Sequence, residues 1–165
     1  MTRVAAFINT KRQEAVDLAG GLIDWIESAG HSCVLIGDSA AAINREDLAI
    51  SEEEINDSID LAVTLGGDGS ILYMVREVGD YGVPVMGINL GRMGYLSAVE
   101  PKLAQKRIQE FFEGKHNIEE RMRLEILIEG ETNPLRGLNE AVIEKVDTGR
   151  TVRLGLDIND DFFTS

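Results

Sequence analysis

The part of the chain best suited to chemistry is a glycine-rich turn that carries a single charged side chain. The turn, Gly66-Gly67-Asp68-Gly69, follows the apolar residues 61–65 and precedes apolar residues at helical spacing over 71–78. This order predicts a buried strand, a turn and the start of a helix. Glycines allow backbone conformations that other residues avoid, and they let a ligand approach the main chain. The carboxylate of Asp68 would lie where open α/β sheets bind ligands.

Two familiar glycine motifs are excluded at this turn. The dinucleotide fingerprint requires a third glycine for close helix–strand packing, and Leu72 occupies that position. A Walker-type phosphate loop would continue with Gly-Lys-Ser/Thr, which does not follow here. An ordinary tight turn at Asp68-Gly69 stays open on the residues alone.

Two further loops carry side chains that could bind a ligand. Residues 87–96 form a predicted strand that runs into a glycine-bracketed loop, where Tyr95 offers a flat ring for stacking on a base. Asn139 and Glu140 precede another apolar stretch. A half-buried packing role for Tyr95 and a solvated turn at Asn139-Glu140 are the plainer alternatives.

Two cations, Lys11 and Arg12, lie between the first apolar run, residues 4–8, and a helical pattern over 14–29. The start of a helix beside cations favours phosphate binding. A solvated pair of surface cations remains the alternative.

The elements that must position these residues alternate between strands and helices up to about residue 118. Apolar runs at 4–8, 31–37, 61–65 and 83–88 alternate with helical patterns, apart from the loosely patterned, acidic residues 38–60, which we interpret as a helix with loops. This pattern predicts a Rossmann-like α/β domain with a parallel sheet over residues 1–118.

From residue 119 onward the pattern changes to period-two alternation, as in Leu124, Ile126 and Ile128. Asn159-Asp160 indicates a hairpin turn. Residues 119–165 are therefore predicted to begin an antiparallel β-sandwich domain, with the boundary near 115–120. Because so few strands cannot close a stable sheet alone, we expect this domain to be incomplete in the 165 residues.

The composition narrows the class of partner. With 16 basic and 29 acidic residues the net charge is -13, which argues against nucleic acid or an anionic membrane as the main partner. The single cysteine, Cys33, excludes an intrachain disulfide and is expected to be buried. No stretch has the length and apolarity of a membrane span or signal peptide, so we expect a cytoplasmic protein.

The Gly66–Gly69 turn resembles a signature shared by NAD kinases, diacylglycerol-type lipid kinases and phosphofructokinases. Residues 87–96 and 138–142 resemble the second and third NAD kinase motifs, in the order and at the intervals of that family. The three motifs together single out the NAD kinases, and the resemblance extends from about residue 4 to residue 165.

The resemblance implies transfer of a phosphoryl group from ATP or polyphosphate to the 2′-hydroxyl of the adenosine ribose of NAD, with Mg²⁺ or another divalent cation. Asp68 would be the proton acceptor. The resemblance implies that NAD is bound by Asp68, Gly69, Tyr95, Asn139, Glu140 and Arg150. It assigns no metal ligands, and it implies a dimer or tetramer. Tyr73 departs from the pattern, because several relatives have a basic residue there.

Two alternatives remain. A lipid kinase would share the Asp68 turn, although it would need a membrane-facing apolar or basic surface, and the net charge disfavours this. A non-catalytic nucleotide-binding module is the other alternative for these 165 residues, because in the family a Thr/Ser/Gly-rich binding segment follows the position that corresponds to residue 165. We therefore expect little activity from these 165 residues alone.

Overall fold

A computed structural model describes residues 1–91, 94–96, 99–144 and 153–164 of the chain. The strands are β1 (Arg3–Ile8), β2 (Ser32–Ile36), β3 (Ala49–Ile50), β4 (Leu61–Gly66), β5 (Val85–Asn89), β6 (Leu124–Ile126), β7 (Leu135–Gly137), β8 (Leu156–Ile158) and β9 (Asp161–Thr164). The α-helices are α1 (Gln13–Ser28), α2 (Ser39–Ala42), α3 (Asp68–Val78) and α4 (Ala104–Phe112). Short 3₁₀ turns cover Glu46–Leu48, Glu52–Glu54, Gly79–Tyr81 and Pro101–Leu103.

The first five strands form one parallel sheet in the order β3-β2-β1-β4-β5. Ile8 of β1 pairs with Leu65 of β4, and Gly66 of β4 pairs with Asn89 of β5. The carboxyl ends of the strands therefore share one edge of the sheet. The predicted α/β architecture is confirmed.

Helices cover both faces of this sheet. Successive side chains of a strand point in opposite directions, so neighbouring residues of one strand pack against different helices. Val4, Ala6 and Ile8 pack with buried residues of α1 and α4, whereas Ala5 packs with buried residues of α3. Strands buried on both faces are typical of parallel sheets and explain the continuous apolar runs. Cys33 lies in the first of these clusters, where burial raises the pKa of its thiol to about 12. In the described part of the chain, no helix is both long and apolar enough to cross a membrane.

The segment between β2 and β4 differs from the predicted helix with loops. It contains the four-residue helix α2, two 3₁₀ turns and the two-residue strand β3. This strand is an edge strand of the parallel sheet. A strand of two residues is too short to produce a period-two signal, so the sequence did not reveal it.

The segment from residue 119 forms two small antiparallel sheets, β6–β7 and β8–β9. The predicted hairpin at Asn159-Asp160 is confirmed, and both residues adopt positive φ angles, 52° and 69°. The side chains of these strands are largely exposed. The predicted domain boundary near 115–120 stays a prediction.

One ionic cluster joins the two regions. Asp80, just after α3, accepts hydrogen bonds from Arg123 at 2.7 Å and from Arg136 at 2.6 Å. Arg136 also donates to Glu125 on the neighbouring strand at 2.9 Å. A Cβ at Gly79 would lie 2.6 Å from the Arg123 guanidinium, so the small residue lets the arginine lie against the helix end.

Candidate functional site

The turns at the carboxyl edge of the parallel sheet enclose a cavity of about 500 Å³. It is lined by residues 7–12 from the end of β1, residues 67–70 from the start of α3, and by Asp38 and Tyr73. Apolar, cationic and anionic groups therefore face one space. Such a cavity at a sheet edge is the usual position of a ligand site in this fold class.

Asp68 is the first residue of α3, and backbone amides of the loop after β5 hold its carboxylate. Tyr95 N–H donates to Oδ2 at 2.8 Å, and Leu96 N–H donates to Oδ1 at 3.2 Å. The helix amino terminus adds a positive potential at the same place. These donors stabilise the carboxylate anion and fix its orientation.

The glycines of this turn do not adopt unusual backbone angles, and one of them, Gly66, is needed for close packing. The sequence predicted conformations that other residues avoid, but Gly66, Gly67 and Gly69 are not among the glycines with positive φ. A Cβ at Gly66 would instead overlap the buried side chain of Ser70, and it would lie 3.2 Å from the Cβ of Asn9. Gly67 and Gly69 face open space and leave room for a ligand.

Gly94 has a related function beside Asp68. A Cβ at position 94 would overlap the Asp68 carboxylate. The glycine-bracketed loop can therefore bring its amides onto Asp68 only because this position lacks a side chain.

Arg12 ties the turn after β1 to the loop after β5. Its guanidinium donates to the backbone carbonyl of Leu90, and the Leu90 N–H donates to the Gly66 carbonyl at 2.8 Å. Arg12 is thus neither a simple solvated cation nor free to turn fully toward a phosphate. Lys11 also lines the cavity and is exposed to solvent.

Ser39 fixes the ends of β1 and β2 relative to each other. This buried hydroxyl donates to the Ile36 carbonyl at 2.6 Å and accepts from the Ile8 N–H at 2.9 Å. The preceding residue, Asp38, is thereby held at the cavity wall.

Tyr73 also lines the cavity. Its ring lies 4.4 Å from that of Phe7, centroid to centroid, with the planes tilted by 35°. Partial burial raises the pKa of its hydroxyl, and the negative charges of Glu77, Glu52 and Asp38 add to this effect. Tyr73 therefore contributes a neutral hydroxyl and an apolar ring at the position where, by the family resemblance, several relatives have a basic residue.

The predicted site residues fall into two groups. Asp68 and Gly69 line the cavity, and the backbone of Tyr95 contacts Asp68, although the residue itself is 98% exposed. Asn139 and Glu140 are exposed in the loop that follows β7, and they are not part of the cavity lining.

The structure bears on two of the interpretations made from the sequence. Tyr95 is 98% exposed, which excludes the half-buried packing role that was the plainer alternative. Asn139-Glu140 does not lead into a strand, since β7 precedes the pair and residues 140–144 have no regular structure. Arg150, which the family resemblance places in the NAD site, lies outside the described residues.

Sequence reasoning missed Asp38, Ser39 and the contact of Arg12 with Leu90. Asp38 could have been found, because it follows the second predicted strand and the carboxyl ends of parallel strands share an edge. Among the described residues, no group of three or more His, Cys, Asp or Glu side chains is arranged to hold a metal ion.

Comparison with known proteins yields one family. The model of the ATP-NAD kinase N-terminal domain matches residues 4–116. An NAD kinase of Symbiobacterium thermophilum is 33% identical over 163 residues, which cover 97% of this chain and 58% of that protein. An NAD kinase of Azoarcus sp. is 37% identical over 145 residues, which cover 86% of this chain and 47% of that protein.

A solved structure supports the same fold. The crystal structure of yeast NADH kinase complexed with NADH aligns with a TM-score of 0.69 and 22% identity, covering 84% of this chain and 44% of that one. The chain thus spans about half the length of the curated relatives that it matches.

Proposed function

The chain belongs to the NAD kinase family, and on this premise we propose that the full-length protein transfers a phosphoryl group from ATP or polyphosphate to the 2′-hydroxyl of the adenosine ribose of NAD, which gives NADP. The observation that carries the proposal is the position of Asp68. It is the acidic residue of a glycine turn that opens, at the start of a helix, onto a cavity also lined by Lys11 and Arg12. A phosphoryl transfer site needs this combination of an anchored carboxylate, backbone amides and cations.

Asp68 is proposed to accept the proton of the 2′-hydroxyl and to orient it for attack. The two amide hydrogen bonds and the helix amino terminus make the carboxylate a weak base. Orientation is therefore its larger contribution, since phosphoryl transfer depends mainly on positioning and charge neutralisation.

The phosphate donor is proposed to lie beside Lys11 and the amino terminus of α3. Helix amino termini bind phosphate through their unpaired N–H groups. The family implies a divalent cation such as Mg²⁺, and the donor set fits one that is held mainly by the phosphates, because Mg²⁺ usually takes only one or two protein carboxylates. Asp68 and Asp38 are the carboxylates in the cavity lining that could contribute. When bound, the cation would neutralise phosphate charge.

The NAD side of the site is proposed to use Asp68, Gly69, Tyr95, Asn139, Glu140 and Arg150. The exposed ring of Tyr95 supports a stacking role, because no packing contact of a buried core occupies it. Asn139 and Glu140 would act from the segment at 119–165, which we propose is the beginning of an NAD-binding β domain.

The localisation, the oligomeric state and the substrates of the protein are also proposed from the family. We expect a cytoplasmic homo-oligomer, a dimer or tetramer, with NAD and ATP as small-molecule substrates. The exposed apolar residues of β6 to β9 support assembly, because such surfaces need a covering partner or further strands.

The test is NADP formation by the full-length protein with NAD and either MgATP or polyphosphate, alongside diacylglycerol as an acceptor. We expect NADP with at least one donor and no lipid phosphorylation. Lys11→Ala should raise the donor Michaelis constant about tenfold, as expected for loss of a charged hydrogen bond. Lys106→Ala, which removes an exposed cation on α4, is the matched control and should leave it unchanged. Lipid phosphorylation without NADP would establish the alternative enzyme class.

A further inference from the structure

We infer that the ionic cluster at the end of α3 is a positioning device for the NAD side of the proposed site. Asp80 holds Arg136 of β7 against the helix, and β7 in turn places Asn139 and Glu140. The inference rests on the proposed function, because it concerns how one part of the same site is held. The cluster acts through β7 and not on the reacting atoms, so its members are positioning residues.

Helix α3 is held at both ends by groups that lie outside the helix. At its start, backbone amides of the loop after β5 donate to the Asp68 carboxylate. At its end, Arg123 donates to the Gly79 carbonyl at 3.1 Å and to the Asp80 carboxylate at 2.7 Å. A guanidinium at this end also complements the negative end of the helix dipole. The same helix therefore contacts the loop that holds Asp68 and the segment that contains β6 and β7.

The Asp80 carboxylate connects both strands of the β6–β7 pair to that helix end. Its Oδ1 accepts from Arg123, which immediately precedes β6, and its Oδ2 accepts from Arg136 of β7 at 2.6 Å. Arg136 also donates to Glu125 at 2.9 Å, and these two residues are opposite each other in the β6–β7 register. The position of β7 relative to α3 is thus fixed through side chains whose removal leaves both elements intact.

Strand β7 leads directly into the pair that is proposed to bind NAD. Asn139 and Glu140 follow the last residue of β7, Gly137, by two and three positions. The turn that contains them folds back onto the strand, because a Cβ at Gly137 would lie 3.2 Å from the Glu140 carbonyl oxygen. A displacement of Arg136 would therefore move Asn139 and Glu140 as well.

A positioning role predicts a selective effect on one of the two substrates. When the binding-competent arrangement is only partly populated, the apparent dissociation constant rises as the populated fraction falls. Loss of the Asp80 contacts should raise the Michaelis constant for NAD about threefold to fivefold, the scale of exposed ion pairs. The Michaelis constant for the phosphate donor should stay unchanged, because Lys11 and Asp68 lie in the first region. A purely structural role would instead reduce the amount of folded enzyme and leave both constants unchanged.

Gly79 offers a test that changes no charge. A Cβ at this position would lie 2.6 Å from the Arg123 guanidinium, so Gly79→Ala requires the arginine to move away. The backbone angles of Gly79, φ −66° and ψ −23°, suit alanine, which also favours the helical state. This variant should therefore keep or raise the free energy of unfolding while it raises the Michaelis constant for NAD. Gly21→Ala in α1 is the matched control, because a Cβ there meets nothing within 4 Å among the described residues.

The experiment is steady-state kinetics of the full-length protein, in which NAD and the phosphate donor are varied in turn, together with calorimetric titration of NAD. The variants are Asp80→Asn, Arg136→Gln, the double variant of these two, Gly79→Ala and Gly21→Ala. We expect the Michaelis and dissociation constants for NAD to rise in all except Gly21→Ala, with the donor constant unchanged. The double variant should resemble the more affected single variant, since residues of one ionic network do not act additively.

Two results would overturn the inference: unchanged NAD constants in Asp80→Asn, or equal increases for NAD and the donor. If Asp80→Asn also loses stability, Gly79→Ala decides, and an unchanged NAD constant in that variant overturns the inference. Failure of the proposed function looks different. A protein that binds NAD more weakly after Asp80→Asn but forms no NADP retains the positioning device and refutes the kinase, whereas NADP formation with unchanged NAD constants does the opposite.

Discussion

The two regions of the chain have similar apolar residues but bury them to very different extents. Leu65 in β4 is 1% exposed and Ile8 in β1 is 1% exposed, whereas Leu156 in β8 is 48% exposed and Phe162 in β9 is 68% exposed. The difference arises because helices cover both faces of the parallel sheet, while the antiparallel pairs have no covering layer in the described residues. In the described part of the chain, the first region therefore holds its side chains more rigidly than the second.

Ionic contacts connect the two regions in the described part of the chain. Asp80, Arg123 and Arg136 connect the end of α3 to the β6–β7 pair. All three side chains are at least partly exposed, and exposed ion pairs contribute little stability. We therefore expect the second region to dock weakly on a first region that folds on its own core.

The largest expected effect contrasts leucine truncations in the two regions. Leu65→Ala should lower the free energy of unfolding by about 2–5 kcal/mol, because it leaves a cavity in a buried core. In the 165-residue chain, Leu156→Ala should change it by less than about 0.5 kcal/mol, as is usual for exposed positions. Chemical denaturation of both variants measures the difference. Equal losses would mean that β8 is as well packed as β4 and would remove the contrast.

The second prediction assigns the chemistry to the first region. In the full-length protein, Asp68→Asn keeps the shape of the side chain but removes its charge and proton-accepting capacity. We expect turnover to fall roughly a hundredfold or more, the scale of a positioned acid–base group. The dissociation constant for NAD should change much less, because the proposed contacts of Tyr95, Asn139 and Glu140 remain.

Measurements of NADP formation and NAD binding separate the outcomes for Asp68. Near-normal turnover would exclude Asp68 from the mechanism. Equal losses of binding and turnover would make it a binding residue, and the chemical step would then depend on other groups.

The third prediction distinguishes the role of Arg12 from that of its neighbour Lys11. Arg12→Ala removes the hydrogen bond to Leu90 and loosens the loop whose amides hold Asp68. Turnover should fall about tenfold with little change in the donor Michaelis constant, since one charged hydrogen bond is lost. Arg12→Lys should restore part of the lost turnover. An increase confined to the donor Michaelis constant would instead show that Arg12 binds phosphate directly, as is proposed for Lys11.

The smallest expected effect concerns the contact between the regions. The Arg123 guanidinium, followed by Arg136, lowers the pKa of Asp80 below its ordinary value. Because the folded pKa is depressed, the stabilisation is complete above the ordinary carboxyl pKa and is lost as the pH falls through the lowered value. Its size should stay below about 1 kcal/mol, since the pairs are exposed to solvent.

Hydrogen exchange of the β6 and β7 amides tests this contact. Asp80→Asn should speed exchange there by a few fold at neutral pH, while Asp57→Asn, a charge-matched change elsewhere, should not. Exchange in β4 should stay the same in both variants. Faster exchange throughout the parallel sheet would show that the two regions unfold together.

Features encoded by neighbouring residues could be predicted from the sequence. The strand, turn and helix around Asp68 and the hairpin at Asn159-Asp160 depend on local apolar patterns and turn residues. The order of the three family-like motifs was enough to indicate the family. Strands β3 and β7, with two and three residues, were too short to leave a pattern.

Features that depend on distant contacts could not be predicted. The contact of Arg12 with Leu90 and the space that Gly94 leaves for Asp68 join residues far apart in the sequence. The glycines around Asp68 were interpreted through backbone freedom, whereas Gly66 is needed because Ser70 lies against it. The side-chain neighbours of a glycine are visible only in three dimensions.

The pairing of β1 with β4 also has a consequence for how the chain acquires its site. These strands are adjacent in the sheet, yet the whole β2 and β3 segment separates them along the chain. Contacts of this kind form slowly, because a long loop must close first. Since one cavity wall follows β1 and another follows β4, a nascent chain cannot bind ligand until β4 has emerged and paired. Ligand would then stabilise only the completed sheet, so nucleotide present during refolding should slow unfolding without accelerating the closure of that loop.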